Sequence, residues 1–196
     1  MKKLLLIIII ALCAVTANGQ KKIGSYYVEY WGKSYDIAAS EDENLVVIID
    51  ICGETSYSEV NFYLKGEEKI NEFIQSLKEL RDKYKEWRQV ARENNVKDFS
   101  KPFDITFPSV TVAWNRSKWW FDFYEALKPR FLVTEKGEIV SVISGEAKAS
   151  SNEYITEKYY FVLSNVSEFD ELISQIEPAS VRAALDKIKA PTDLFK

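Results

Sequence analysis

The chain has 196 residues, 26 basic against 30 acidic, a formal net charge of −4, two cysteines and no histidine. The missing histidine excludes Ser-His-Asp and Cys-His nucleophile systems, histidine-containing zinc sites and imidazole proton shuttles. No glycine-rich phosphate loop and no CxxC pair is present, so no cofactor or metal is expected.

Residues 1–19 have the order of a cleavable signal peptide. Lys2 and Lys3 precede an apolar run from Leu4 to Val15, and Ala17 and Gly19 put small residues at the cleavage positions. The run is shorter than the roughly 20 residues that span a bilayer, so a membrane span is not expected after cleavage. Leu12 before Cys13 is too bulky for lipoprotein processing. The expectation is an exported protein, periplasmic or secreted, whose mature form is one α+β domain, 20–196. Without Lys2 and Lys3 the mature chain carries 24 basic and 30 acidic residues, net −6, and one cysteine, Cys52. Cys52 closes the apolar run from Leu45 and reads as a small packing residue.

Period-two alternation predicts strands over Tyr26–Trp31, Ser34–Ala39, Leu45–Cys52 and Tyr57–Leu64, joined by short polar turns. A long helix follows over Glu67–Asn94. Ile70, Phe73, Leu77, Leu80, Tyr84, Trp87 and Ala91 form one apolar stripe, with interleaved acids and bases on the solvated face. An insertion, 96–117, contains two alternating runs, 103–107 and 110–114. Pro108 between them suggests an extra hairpin or a bent edge strand.

The second half predicts strands over Lys118–Tyr124, Arg130–Thr134, Glu138–Ala147 and Ile155–Leu163, then a helix over Val166–Ile176. Asn165 with Glu168, or Ser167 with Asp170, would cap that helix. Pro178 opens a last helix, 178–190, buried through Val181, Ala184, Leu185 and Ile188. Phe62–Leu77 aligns without gaps to Phe161–Ile176, with identities at Phe62/Phe161, Leu64/Leu163, Glu72/Glu171 and Ile74/Ile173. The expected organisation is therefore repeat one over 26–95, the insertion, and repeat two over 118–177.

This duplicated β-β-β-β-α order resembles the fold of the TATA-box-binding protein, in which two repeats share one curved antiparallel sheet with helices on one face. Exported bacterial domains of unknown function show similar arrangements. The resemblance is one of element order over most of the mature chain, and it implies a TBP-like fold with an internal repeat. It carries over no DNA-contacting residue, and the acidic balance argues against nucleic acid as a partner.

Alternation also assigns sheet faces. Val28 and Tyr30, with Phe121 and Phe123, are expected to face the helices. The outer face would then carry Tyr27, Trp31, Tyr63, Trp120, Tyr124 and Tyr160 around Glu29, Asp122 and Lys158. Such a mixture suits recognition of a partner protein or a glycan, and the expected function is a non-enzymatic envelope binding module. The alternatives are a histidine-independent, glycosidase-like hydrolase using Glu29 and Asp122, a structural or assembly subunit docking through the long helix, and an outer face covered by the insertion, the final helix or a second subunit.

Overall fold

The computed structural model describes residues 19–55 and 58–193, with side chains described as far as 189. The predicted leader lies outside the described residues except for Gly19. The described chain forms ten strands of one unclosed antiparallel sheet and three α-helices. No described helix is long and apolar enough to cross a membrane.

Strand β1 (Lys21–Val28) pairs with β2 (Lys33–Glu41), β2 with β3 (Leu45–Gly53), and β3 with β4 (Glu59–Lys65). The predicted first strand begins five residues earlier than expected and stops at Val28. Glu29–Trp31 instead form a single 3-10 turn closed by Gly32, whose φ of 60° suits glycine. Helix α1 (Glu67–Glu93) follows β4 and matches the predicted stripe, with Ile70, Phe73, Leu77, Leu80, Tyr84 and Ala91 buried.

The insertion differs from expectation. Residues 103–109 form no strand, although Phe103 and Phe107 alternate into the core. They run along α1, where Ser76 Oγ donates to the Thr106 carbonyl and Lys69 Nζ to the Ser109 carbonyl. Only the second run becomes a strand, β6 (Val110–Asn115). It is central, paired with both β4 and β7 (Trp119–Glu125). A short strand that the alternation did not reveal, β5 (Phe99–Pro102), pairs with β8 (Pro129–Val133) at the opposite edge.

Strands β8, β9 (Ile139–Ala149) and β10 (Asn152–Leu163) form a meander, and α2 (Val166–Ile176) follows it. Thus β2-β3-β4-α1 and β8-β9-β10-α2 are each a three-stranded meander ending in a helix. Phe62 and Phe161, matched in the sequence alignment, are both buried, with ring centroids 5.8 Å apart. The outermost strands break the parallel. In the first half β1 pairs with its neighbour β2, whereas β7 pairs with β6 and not with β8.

The two meanders meet at β3, whose one edge serves two partners. β2 pairs with Leu45–Ile49, and β10 pairs with Cys52 and Gly53. Asn165, not Ser167, caps α2, its Oδ1 accepting from the Glu168 amide at 3.0 Å. The Glu168 carboxylate is buried by a cage of donors. It accepts from the amides of Ser164 (2.6 Å) and Glu29 (2.8 Å), which ties the β1 turn to the helix start. The last helix, α3 (Pro178–Asp193), buries Val181 and Leu185, while Ala184 and Ile188 stay half-exposed.

Candidate binding surface

The orientation of β7 follows from its partner. On β6, Val110, Val112 and Trp114 are fully buried in the core. Residues directly opposite in an antiparallel pair share a face. Trp114 stands opposite Trp120 and Val112 opposite Asp122, so Trp120 and Asp122 belong to the core-side face. Ala113 stands opposite Phe121 and Asn115 opposite Trp119, which puts Trp119 and Phe121 on the outer face. The expected parity of β7 is therefore reversed: Phe121 and Phe123 are outside, and Trp120 packs against the core with Lys118 Nζ 4.1 Å from its ring centroid.

The ladder shifts register between Val110 and Val112, so β7 gains a residue near Phe123 and Tyr124. The Phe121 and Phe123 rings stand 6.0 Å apart with planes 4° from parallel, and both are partly buried. Tyr124 is 82% exposed. The strand is tethered to the β9–β10 turn. Ser150 donates its amide to the Phe121 carbonyl at 2.8 Å, and Asp122 Oδ2 accepts from the Lys148 amide at 3.0 Å. Just beyond that turn lies Tyr154, 87% exposed. The result is an aromatic surface at one edge of the sheet, with Lys148 and Glu153 exposed beside it.

The other expected surface residues disperse. Tyr27 is about half-exposed on β1. Trp31 packs against the core beside Tyr35, ring centroids 6.1 Å apart, and Tyr30, expected inside, is exposed. These corrections share a cause: the chain leaves the strand at Glu29, so alternation no longer governs. Tyr63 lies on the outer face of β4 opposite Ile48 and Thr111, its hydroxyl beside Gln20 Nε2, and burial pushes the phenol up. Tyr160 stands opposite Ser144 and Cys52, partly buried, and Lys158 Nζ pairs with Glu54 at 2.9 Å. Cys52 is a free, half-buried thiol.

Glu29 and Asp122 do not meet. Glu29 Oε2 accepts from Asn165 Nδ2 at 2.8 Å, just beyond the end of β10. Asp122 reaches Lys148, whose ladder partner is Thr156 near the start of that strand. From Thr156 to Ser164 the strand advances about 26 Å at ~3.3 Å per residue, whereas a glycosidase carboxyl pair needs about 5–9.5 Å.

Two acids, the buried Glu157 and the half-buried Glu125, stand at apolar-parity positions that alternation assigns to packing, and so the sequence did not mark them. The Glu157 side chain is 0% exposed. Its Oε2 accepts from Arg116 Nη2 and Nε at 2.7 and 2.8 Å, and its Oε1 from the Glu54 amide at 3.2 Å. Glu125 Oε1 accepts from the Tyr159 hydroxyl at 2.8 Å, and burial holds that carboxyl above its ordinary range despite the hydrogen bond. Both acids are engaged by fixed partners, which suits structural polar groups in a packed interior. Among the described residues no cluster of His, Cys, Asp and Glu could hold a metal ion.

No protein-family model, no curated protein and no solved structure matches this chain.

Proposed function

We propose that the chain is an exported, non-enzymatic binding module that holds a partner protein through the aromatic surface formed by β7 and the β9–β10 turn. The observation that carries this reading is that partly buried Phe121 and Phe123 share an edge strand with Tyr124, 82% exposed, while Tyr154, 87% exposed, follows four residues after Ser150, whose amide bonds the Phe121 carbonyl. Large aromatic side chains without cover are the residues that anchor protein interfaces. Charges of both signs at the rim favour a protein surface over a uniformly charged polymer. Export is supported by the order of residues 1–19, and a non-enzymatic role by the separation of Glu29 from Asp122. A TBP-like duplication is proposed as the origin of the two meanders, supported by the gapless match of Phe62–Leu77 to Phe161–Ile176.

The test is capture from envelope extracts with the mature chain and with Tyr124→Ser and Tyr154→Ser variants, alongside a glycan array. A partner captured by the parent chain should be lost, by about 30-fold in affinity, from the double variant. Capture that the double variant retains in full excludes this surface. Glycan binding that depends on these tyrosines, without protein capture, reassigns the partner to carbohydrate.

A further inference from the structure

A second surface, unconnected with β7, lies where the C-terminal half of α1 passes the edge strand β5. A groove of about 270 Å³ runs between Trp87 and Val90 on the helix and Val96, Phe99 and Lys101 on the other wall, with buried Phe131 at its base. Val90 is 52% exposed and Phe99 43%, so the apolar walls are open to solvent. The walls are built on a rigid aromatic stack. Trp87 lies 4.7 Å from Phe103 with planes 14° apart, and edge-on to Phe131 at 5.7 Å.

The polar complement of this groove is unusually small. Lys101 is its one charged lining residue, with Nζ 4.6 Å from the Trp87 ring centroid and no carboxylate within 4.0 Å among the described residues. Lys83, whose Nζ also lies near the Trp87 ring at 5.6 Å, is already paired with Glu86 at 2.8 Å. A peptide laid in this groove would bring an amide and a carbonyl at every residue, each needing a partner. The apolar lining offers almost none, and Pro102 in β5 has no amide hydrogen with which to extend a ladder at that edge. The described part of α3 does not reach the groove. Arg182 of α3 pairs with Glu41 and with Glu67, the first residue of α1, so α3 lies at the other end of the long helix. Trp87 is 20 residues further along α1, about 30 Å at 1.5 Å per residue.

From this geometry we infer that the α1–β5 groove binds a medium-chain fatty carboxylate, with the acyl chain between Val90 and Phe99 and the carboxylate on Lys101. An acyl chain needs only apolar contact along its length, and its one anionic end meets the one cation without a counter-ion. Binding draws the ammonium from the face of Trp87 into a charge-assisted hydrogen bond.

Titration of the mature protein with dodecanoate, kept below its micelle concentration, tests this by calorimetry. Saturable one-to-one binding is expected. Lys101→Met, which keeps the apolar stem, should weaken it by about tenfold or more, and Val90→Asp should abolish it. Val90 is half-exposed, so the second variant should melt like the parent, and the melt is measured in parallel. Dodecyltrimethylammonium should not bind. Absence of dodecanoate binding, equal binding of the cationic detergent, or full binding by Val90→Asp each overturns the assignment. So does concentration-dependent dimerisation that Val90→Asp removes, which would make a second copy the occupant.

Discussion

The Tyr26 hydroxyl donates to the main-chain carbonyl of Asp50 at 2.8 Å, at the point where β3 passes from one edge partner to the other. The Leu45 carbonyl meets Gly66 on the β4 side, so by alternation the Asp50 carbonyl points to the opposite edge. There β2 has already left the ladder and β10 has not yet joined it. A fully buried tyrosine, stacked on Tyr35, supplies the missing donor.

Tyr26→Phe removes that donor and keeps the ring. The buried carbonyl loses its partner, and unfolding free energy should fall by about 1–3 kcal/mol. Denaturant titration should find a lower midpoint at unchanged slope. An unaltered midpoint would mean that water replaces the hydroxyl and that the junction is open.

Asp50 itself should make stability depend on pH. Burial, with Glu59 and Asp36 nearby, lifts its carboxyl to about 6, and the buried Oδ1 of Asn61, directly opposite, has no partner. A raised acid pKa means that the folded state holds the proton more tightly than the unfolded chain. The contribution is full below the unfolded value, about 4, and is lost as pH rises through about 6. Asp50→Asn should therefore stabilise the protein at neutral pH by about 1–2 kcal/mol, allowing for partial solvent screening. The advantage should shrink towards pH 4, where both carry a neutral donor. Thermal melts across that range decide it, and a difference that does not change with pH contradicts the account.

Trp120 and Tyr124, grouped together by strand parity, should separate on mutation. Trp120 packs against the core opposite Trp114, so Trp120→Ala should cost about 2–4 kcal/mol. Tyr124→Ala, at an exposed position, should stay within about 0.5 kcal/mol of the parent. Chemical denaturation of the two variants reads both, and equal effects would restore the opposite facing of β7.

The Glu157–Arg116 pair predicts a non-additive cycle. Arg116→Met leaves a buried carboxylate with only the Glu54 amide, and should destabilise by about 2–3 kcal/mol. The double variant Arg116→Met with Glu157→Met removes the stranded charge and should recover at least half of that loss. A double variant as unstable as the sum of the two single changes would show that the pair is not coupled.

Much of the fold was legible in the sequence because one residue type dominated one face. The Ile70–Ala91 stripe set α1 to within one residue, and Val60, Phe62 and Leu64 marked the core side of β4. Strand existence was legible for nine of the ten strands for the same reason; the four residues of β5 are too few and too exposed to leave a pattern.

The tertiary structure decided what local pattern leaves degenerate. In Trp119–Glu125 both parity sets are aromatic, so hydrophobicity cannot choose a face. The choice comes from register with β6, where Trp114 admits Trp120 to the core side and sends Phe121 outward. Residues 103–107 alternate like a strand, yet α1 takes the Thr106 carbonyl and the Phe107 ring. Pairing of β7 with β6, and the sharing of β3 by β2 and β10, depend on contacts between residues far apart in the chain. Composition and periodicity state which side chains seek cover. Which strand supplies that cover is a property of the assembled sheet, because a hydrogen-bonded edge accepts any strand of suitable register, and only packing of the whole core distinguishes among them.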